Sequence, residues 1–414
     1  MSRWSWIVRR IIRQVWFRAA LISLLSVALA VLAAVVTPHL PYDFGGDLGQ
    51  EAVGTILQIM ASSMLAVTTF SLTAMVSAYS SATQLATPRA TQLLISDPTS
   101  QNALSTFLGA FVFSIVGIIG LQTSVYGTEG RIILFGATIL VIIWVVATLL
   151  RWIAHITAFG RMSDVIDRVE DAAGEAMKAF ADDPYLGGRP AVSIPDAAAP
   201  IRGEKTGYVT HIDVADLGAI AERSGLTIHI SALPGTMLHP QRNLMCVEGH
   251  IDDKTRAAMI AAFTIERHRT FDQDPRLGLI ALSEIASRAL APATNDPGTA
   301  VEVMNALLRV LLRLPPDEPG LMERAERPRV HLPRPTIEDM LTDAFRPILR
   351  EGGNETEVTI RLTSTLAALH AALPAARAPI RALALHCKER ARRLMDDPDD
   401  LAAFEEAHDR VWPA

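Results

Sequence analysis

Thirty-seven consecutive residues between Glu51 and Arg89 contain no Asp, Glu, Lys or Arg. A helix needs about 20 apolar residues to cross a bilayer core, so this run can span one and continue past a face. At 100° per residue, Thr55, Gln58, Ser62, Thr69, Thr73, Ser77, Ser80 and Gln84 fall within roughly 60° of one line, interrupted only by Ala66. Such a line is out of place against acyl chains. It is expected to face protein or water, either as a close-packed helix interface supplied with partners by Gly109, Gly117 and Gly120 of the third span, or as the wall of a wet path.

Three further runs meet the length test: 16–36, 103–123 and 132–150. Before the first, Trp4, Trp6, Ile7, Ile11 and Ile12 alternate with Arg9, Arg10 and Arg13, a pattern suited to the lipid interface. Arginines cluster ahead of the first span (Arg3, Arg9, Arg10, Arg13, Arg18), in the second loop (Arg89) and after the fourth span (Arg151, Arg161, Arg168). The loop from Thr37 to Glu51 carries only acids. The positive-inside bias therefore places both termini of this multi-pass chain in the cytoplasm.

The remaining 250 or so residues have the character of one or two modest folded domains. A net charge of −6 and the lack of a basic patch with interleaved aromatics argue against a nucleic-acid partner. Two cysteines, Cys246 and Cys387, sit on the reducing side with no metal-ligand spacing, so neither a disulfide, a metal site nor a cofactor is expected. Residues 161–181 read as an amphipathic helix, followed by a Pro- and Gly-rich linker to 203. Strands are expected at 208–212, 226–230 and 245–247, with Asp213 to Ser224 as a helix and Pro234-Gly235 as a turn. His211 and His229 are expected to point outward from them. Beyond Asp252, helices are expected at 254–266, 275–290 and 297–312. Asp274-Pro275 and Asp296-Pro297 each put Asp at the N-cap and Pro at the first helical position. A Pro-rich connector and two or three C-terminal helices complete the chain.

The β segment resembles the small barrel-sandwich domains of the biotinyl-lipoyl type, without a modifiable lysine at the hairpin tip, and is read as a structural module. The expected fold class is a membrane α-helical domain of four transmembrane helices joined to a cytoplasmic α+β domain with a barrel-sandwich-like β module and a helical remainder. The expected divisions are an interfacial segment (1–15), the four-span domain (16–160), helix and linker (161–203), β module (204–252), helical subdomain (253–315), linker (316–335) and C-terminal helical region (336–414).

Several motifs resemble a large bacterial membrane-protein family, the domain of unknown function twenty-two fifty-four. They are Pro88-Arg89 with Asp97, Phe107-Leu108-Gly109-Ala110-Phe111, Gly207-Tyr208-Val209, the stretch Arg269 to Asp274, and Ala289 to Ala300 with its Asn295-Asp296-Pro297 core. The resemblance implies fold and location and carries no established reaction.

Arg269, Asp274, Arg288, Asn295 and Asp296 form a candidate polar cluster for an ion, a small anion or a subunit contact, against a plain capped helix junction at Asn295-Asp296. Glu284 and Arg288, four apart on one helix, are expected to pair locally. His155, near Trp152, reads as an interfacial residue. No nucleophile stands beside a base, so a non-enzyme is expected. Two functional readings remain: a homo-oligomeric ion channel lined by the second span, and a membrane-anchored sensor or scaffold whose spans only associate. The lipid bilayer, further copies of the chain and ions are the expected partners.

Overall fold

The computed structural model describes residues 17, 20–28, 50–85, 87–95, 97–123, 128–157, 160–314 and 326–413, leaving aside the side chains of residues 50, 81, 82, 84, 85, 94, 95, 128 and 129. The amphipathic N-terminal segment, most of the first expected span, the acidic loop after it and half of the 316–335 linker lie outside the described residues.

The chain divides into two compact units. Among its described residues, the membrane unit holds a helical segment α1 (20–28), α2 (Gln50–Leu85, as far as Gln84), most of α3 (Pro88–Ile95), α4 (Pro98–Gln122) and α5 (Thr128–Ile156). Three stretches are long and apolar enough to cross a membrane: Glu51–Ser80, Pro88–Gln122 and Gly130–Ile156. They coincide with the second, third and fourth expected spans. Leu57, Met60 and Met64 of α2, Phe107 and Phe113 of α4, and Leu134 and Val145 of α5 form its core. Gly117 lets α2 approach α4, because a Cβ there would lie 3.0 Å from Leu57 Cδ1. Gly117 thus receives the apolar side chains of Leu57 and Leu134 rather than the hydroxyl stripe.

The globular unit begins its main body at Val165, within α6 (Met162–Asp182), and includes Leu85–Ala90. Its strands are β1 (Arg189–Pro190), β2 (Ala199–Arg202), β3 (Gly207–Ile212), β4 (Thr227–Ile230), β5 (Met237–Leu238), β6 (Asn243–Glu248), β7 (Phe263–Glu266) and β8 (Val330–Leu332). They make a five-stranded sheet in the order β1-β8-β4-β6-β2 and a three-stranded sheet in the order β5-β3-β7. Helix α7 (Val214–Ser224), capped by Asp213, joins β3 to β4 as the sequence implies. Four strands, β1, β2, β7 and β8, come from outside 204–252, so the β region draws on distant segments instead of closing on itself as a barrel-sandwich. Two of them lie in the Pro- and Gly-rich stretch read as linker.

One expected helix is shorter than its pattern. α8 (Asp253–Ala261) stops before Phe263, and residues 263–266 pair with β3 as β7. Phe263, Thr264 and Ile265 favour a pleated, half-buried surface, which outweighs the continuation of a short helix. The helical remainder comprises α9 (Pro275–Ala289), α10 (Pro297–Leu311), α11 (Ile337–Gly352), α12 (Thr356–Ala372), α13 (Arg377–Leu394) and α14 (Pro398–Val411). Asp-Pro starts open α4, α9, α10 and α14, each with the Asp carboxylate accepting a backbone N–H of the first turn. Gly278 permits α9 to touch α6, since a Cβ there would collide with Ala173.

Candidate functional site

On α2 the residues buried within the protomer are Val53, Leu57, Met60, Ala61, Met64 and Ser71. At 100° per residue these centre roughly 180° from the polar stripe. Thr55, Gln58, Ser62, Thr69, Thr73, Ser77 and Ser80 are accordingly all exposed, while the Gln84 side chain lies outside the described ones. Ile59 and Phe70 flank the stripe on one side, Leu65, Leu72 and Val76 on the other, and all five are exposed.

Several of these hydroxyls satisfy themselves. Thr55 donates to the Glu51 carbonyl at 2.8 Å, Ser62 to Ile59 at 3.0 Å, Thr69 to Leu65 at 3.0 Å and Thr73 to Thr69 at 3.0 Å. A hydroxyl bonded back to its own helix tolerates a dry neighbour. The carboxamide of Gln58 has no such outlet: it makes no hydrogen bond among the described residues, and an amide left unsatisfied in hydrocarbon costs several kcal/mol.

The five residues proposed as a cytoplasmic cluster separate into two places. Buried Asp274 pairs with half-buried Arg269, whose Nε lies 2.7 Å from Asp274 Oδ2. Asp274 also caps α9, accepting from the Arg276 N–H through Oδ1 at 3.2 Å. The Pro234-Gly235 turn lies against this pair, and only a residue without a side chain fits, with φ +86° and a Cβ position that would strike Asp274. Burial pushes the Asp274 carboxyl above the usual carboxylate range, and the Arg269 guanidinium opposes that shift without cancelling it.

Asn295 and Asp296 sit one helix away, because the Asp296 N–H donates to Ala289 at the far end of α9. Fifteen residues of α9 put them about 22 Å from Asp274. Asn295 takes the left-handed conformation at φ 47°, and Asp296 accepts from the Thr299 N–H at 3.0 Å. The Thr299 hydroxyl also donates to Asp296 and holds its carboxyl below the usual range. The motif is therefore a capped reversal between two helices. Arg288 is exposed on the last turn of α9, and Glu284 pairs with Arg89 of the Leu85–Ala90 segment. The two helix N-termini do not converge on a common anion.

Two arrangements were illegible from sequence. Asp97, 3% exposed, accepts from the Ser100 N–H at 2.7 Å and lies 2.9 Å from His155 Nε2, so the start of α4 is tied to the end of α5. His155 is thus an inter-helix partner. His211 and His229, expected to face outward, are 1% and 3% exposed, because β7 and β8 pack beside strands that the local pattern showed alone. Both cysteines are free thiols. Among the described residues no group of three or more His, Cys, Asp or Glu side chains could hold a metal ion.

Similarity to known proteins points to the membrane. Uncharacterized proteins of Mycobacterium bovis and Mycobacterium tuberculosis are 30% identical over 187 residues, which is 43% of this chain and 36% of theirs. The matched region thus spans little more than a third of those relatives. No solved structure matches the chain. Residues 12–368 match the family model described as predicted membrane protein (DUF2254), and the chain belongs to that family.

Proposed function

We propose that this protein is a homo-oligomeric ion channel of the bacterial inner membrane, lined by α2, with the globular unit in the cytoplasm as gate or assembly platform. One observation carries the reading: the polar stripe is exposed on the face of α2 opposite the protomer core. A single four-span subunit is too small to enclose a pore, so the lining face must meet other copies. Hydroxyl and amide side chains without fixed charge suit weakly selective passage of hydrated ions.

The self-bonded hydroxyls of Thr55, Ser62, Thr69 and Thr73 favour a second reading. Helices whose hydroxyls are already satisfied can pack dry against a second copy, and the protein would then be an anchored sensor or scaffold. Cysteine at Thr69 or Thr73, in a Cys246→Ser background, separates the two. Conduction predicts reaction with a charged, water-soluble thiol reagent and a loss of ionic current in reconstituted bilayers. Cysteines that ignore the reagent yet cross-link between copies, in a protein that passes no current, would establish the anchor and sink the channel.

A further inference from the structure

Four hydroxyls on the exposed face of α2, those of Thr55, Ser62, Thr69 and Thr73, bond back to their own helix, and the carboxamide of Gln58 does not. Gln58 is exposed and stands seven residues into the apolar stretch that opens at Glu51, which sets its amide about 10 Å inside the bilayer. Hydrocarbon at that depth satisfies neither its N–H donors nor its carbonyl.

A glycine beside it gives a second, independent sign of a partner. Gly54 lies one turn before Gln58 and roughly 40° round the helix. Glycine weakens a helix interior, and Gly117 of α4 has a reason to be there, because Leu57 packs onto it. Gly54 has no such reason among the described residues, since a Cβ on it would meet nothing within 4 Å. Ser62 lies one turn after Gln58, roughly 40° the other way. Gly54, Gln58 and Ser62 thus make one ridge, a long amide flanked by two small residues. In a bilayer, small residues at this spacing let a second helix backbone come close enough for side chains to hydrogen-bond across.

Copies that insert the same way are related by a rotation about the bilayer normal, which keeps equivalent residues at equal depth. Gln58 of one copy therefore meets the level of Gln58 in the next, and a contact made there has to be self-complementary. A carboxamide meets that condition, since it both donates and accepts. We propose that Gln58 is the register-setting contact between copies of this chain. Each amide N–H donates to the carbonyl oxygen of the neighbouring Gln58, and Gly54 and Ser62 admit the close approach. The partner surface is the same ridge of a second α2. A slip of one residue would turn Gln58 by 100° and break the ring, so this one contact fixes how the helices face each other. The proposal rests on the part of the channel reading in which α2 meets further copies, and not on conduction.

Full-length protein carrying donor or acceptor labels on its globular unit is reconstituted in liposomes, and energy transfer reports association as lipid dilutes the protein. Gln58→Met keeps the length of the side chain, removes its hydrogen bonds and suits acyl chains better than the amide does. It is expected to weaken association about tenfold while the protomer still inserts. Gly54→Leu should weaken association as well, whereas Gly136→Leu on α5, where a Cβ also meets nothing within 4 Å, should not. Association of Gln58→Met equal to wild type would overturn the proposal, as would equal effects of Gly54→Leu and Gly136→Leu. Ionic current is read on the same liposomes. A wild type that assembles through Gln58 and passes no current keeps this contact and ends the channel reading. A Gln58→Met protein that assembles and conducts like wild type ends the contact and keeps the channel.

Discussion

α2 and α5 are equally little buried by their own protomer, 22% of each apolar window, yet they offer opposite chemistry to what surrounds them. The exposed side of α5 is Ile139, Leu140, Ile143, Trp144, Val146, Leu150 and Ile153. That of α2 interleaves Ile59, Leu65 and Phe70 with the hydroxyl and amide stripe. Equal exposure with unequal polarity predicts different surroundings for the two faces. A face of uniform hydrocarbon is complete against acyl chains, whereas one holding the unpaired Gln58 amide is completed by water or by another polypeptide. Mean hydropathy alone would rank both helices as spans and miss the distinction.

Charge offers the sharpest way to break this contrast. A lysine at the centre of a lipid-facing helix costs about 3 kcal/mol on insertion scales, enough to deplete the integrated form more than tenfold. Ile143→Lys is therefore expected to lose most of its membrane-integrated protein. Thr69→Lys should integrate close to wild type, its ammonium meeting water or a polar partner on the stripe side. The carbonate-resistant fraction of each variant measures this, and equal losses at the two positions would erase the difference between the faces.

The contrast was legible in sequence because it rests on helical period alone: charge-free runs fix the spans, and 100° spacing fixes the stripe. Arrangements that depend on partners distant in the chain were not. Asp97 and His155 are 58 residues apart and meet only when α4 and α5 pack. The burial of His229 depends on β8, about 100 residues later, and β1 and β2 hide in a stretch whose prolines and glycines read as a linker. Asp274-Pro275 and Asp296-Pro297 were read correctly as helix starts. Their grouping failed because sequence proximity ignored the straight length of α9, which holds them apart.

The buried face of α2 gives the next test, of intermediate size. A Cβ on Gly117 would lie 3.0 Å from Leu57 Cδ1 and 3.6 Å from Leu134 Cδ1, whereas one on Gly136 of α5 meets nothing within 4 Å. Gly117→Ile overpacks the helix contact and should cost about 1–3 kcal/mol. Gly136→Ile should leave the thermal midpoint in detergent nearly unchanged. If both variants melted alike, the assignment of packed and unpacked faces would have to be exchanged, and the stripe with it.

The smallest effect separates what the stripe does for folding from what it does for function. The Thr73 hydroxyl is bonded back to the Thr69 carbonyl and no other side chain uses it, so the near-isosteric Thr73→Val should shift stability by no more than about 0.5 kcal/mol. A hydroxyl that matters only for packing would then be silent in every assay. One that wets a path would not, because valine leaves the ladder of polar contacts with a gap one helical turn below Ser77 and above Thr69. Reduced current through a Thr73→Val oligomer of unchanged melting temperature would show that the exposed face of α2 serves passage. A wild-type current would leave the stripe as an interface whose hydroxyls merely accompany close approach, and the difference from α5 would become one of partner, protein against lipid.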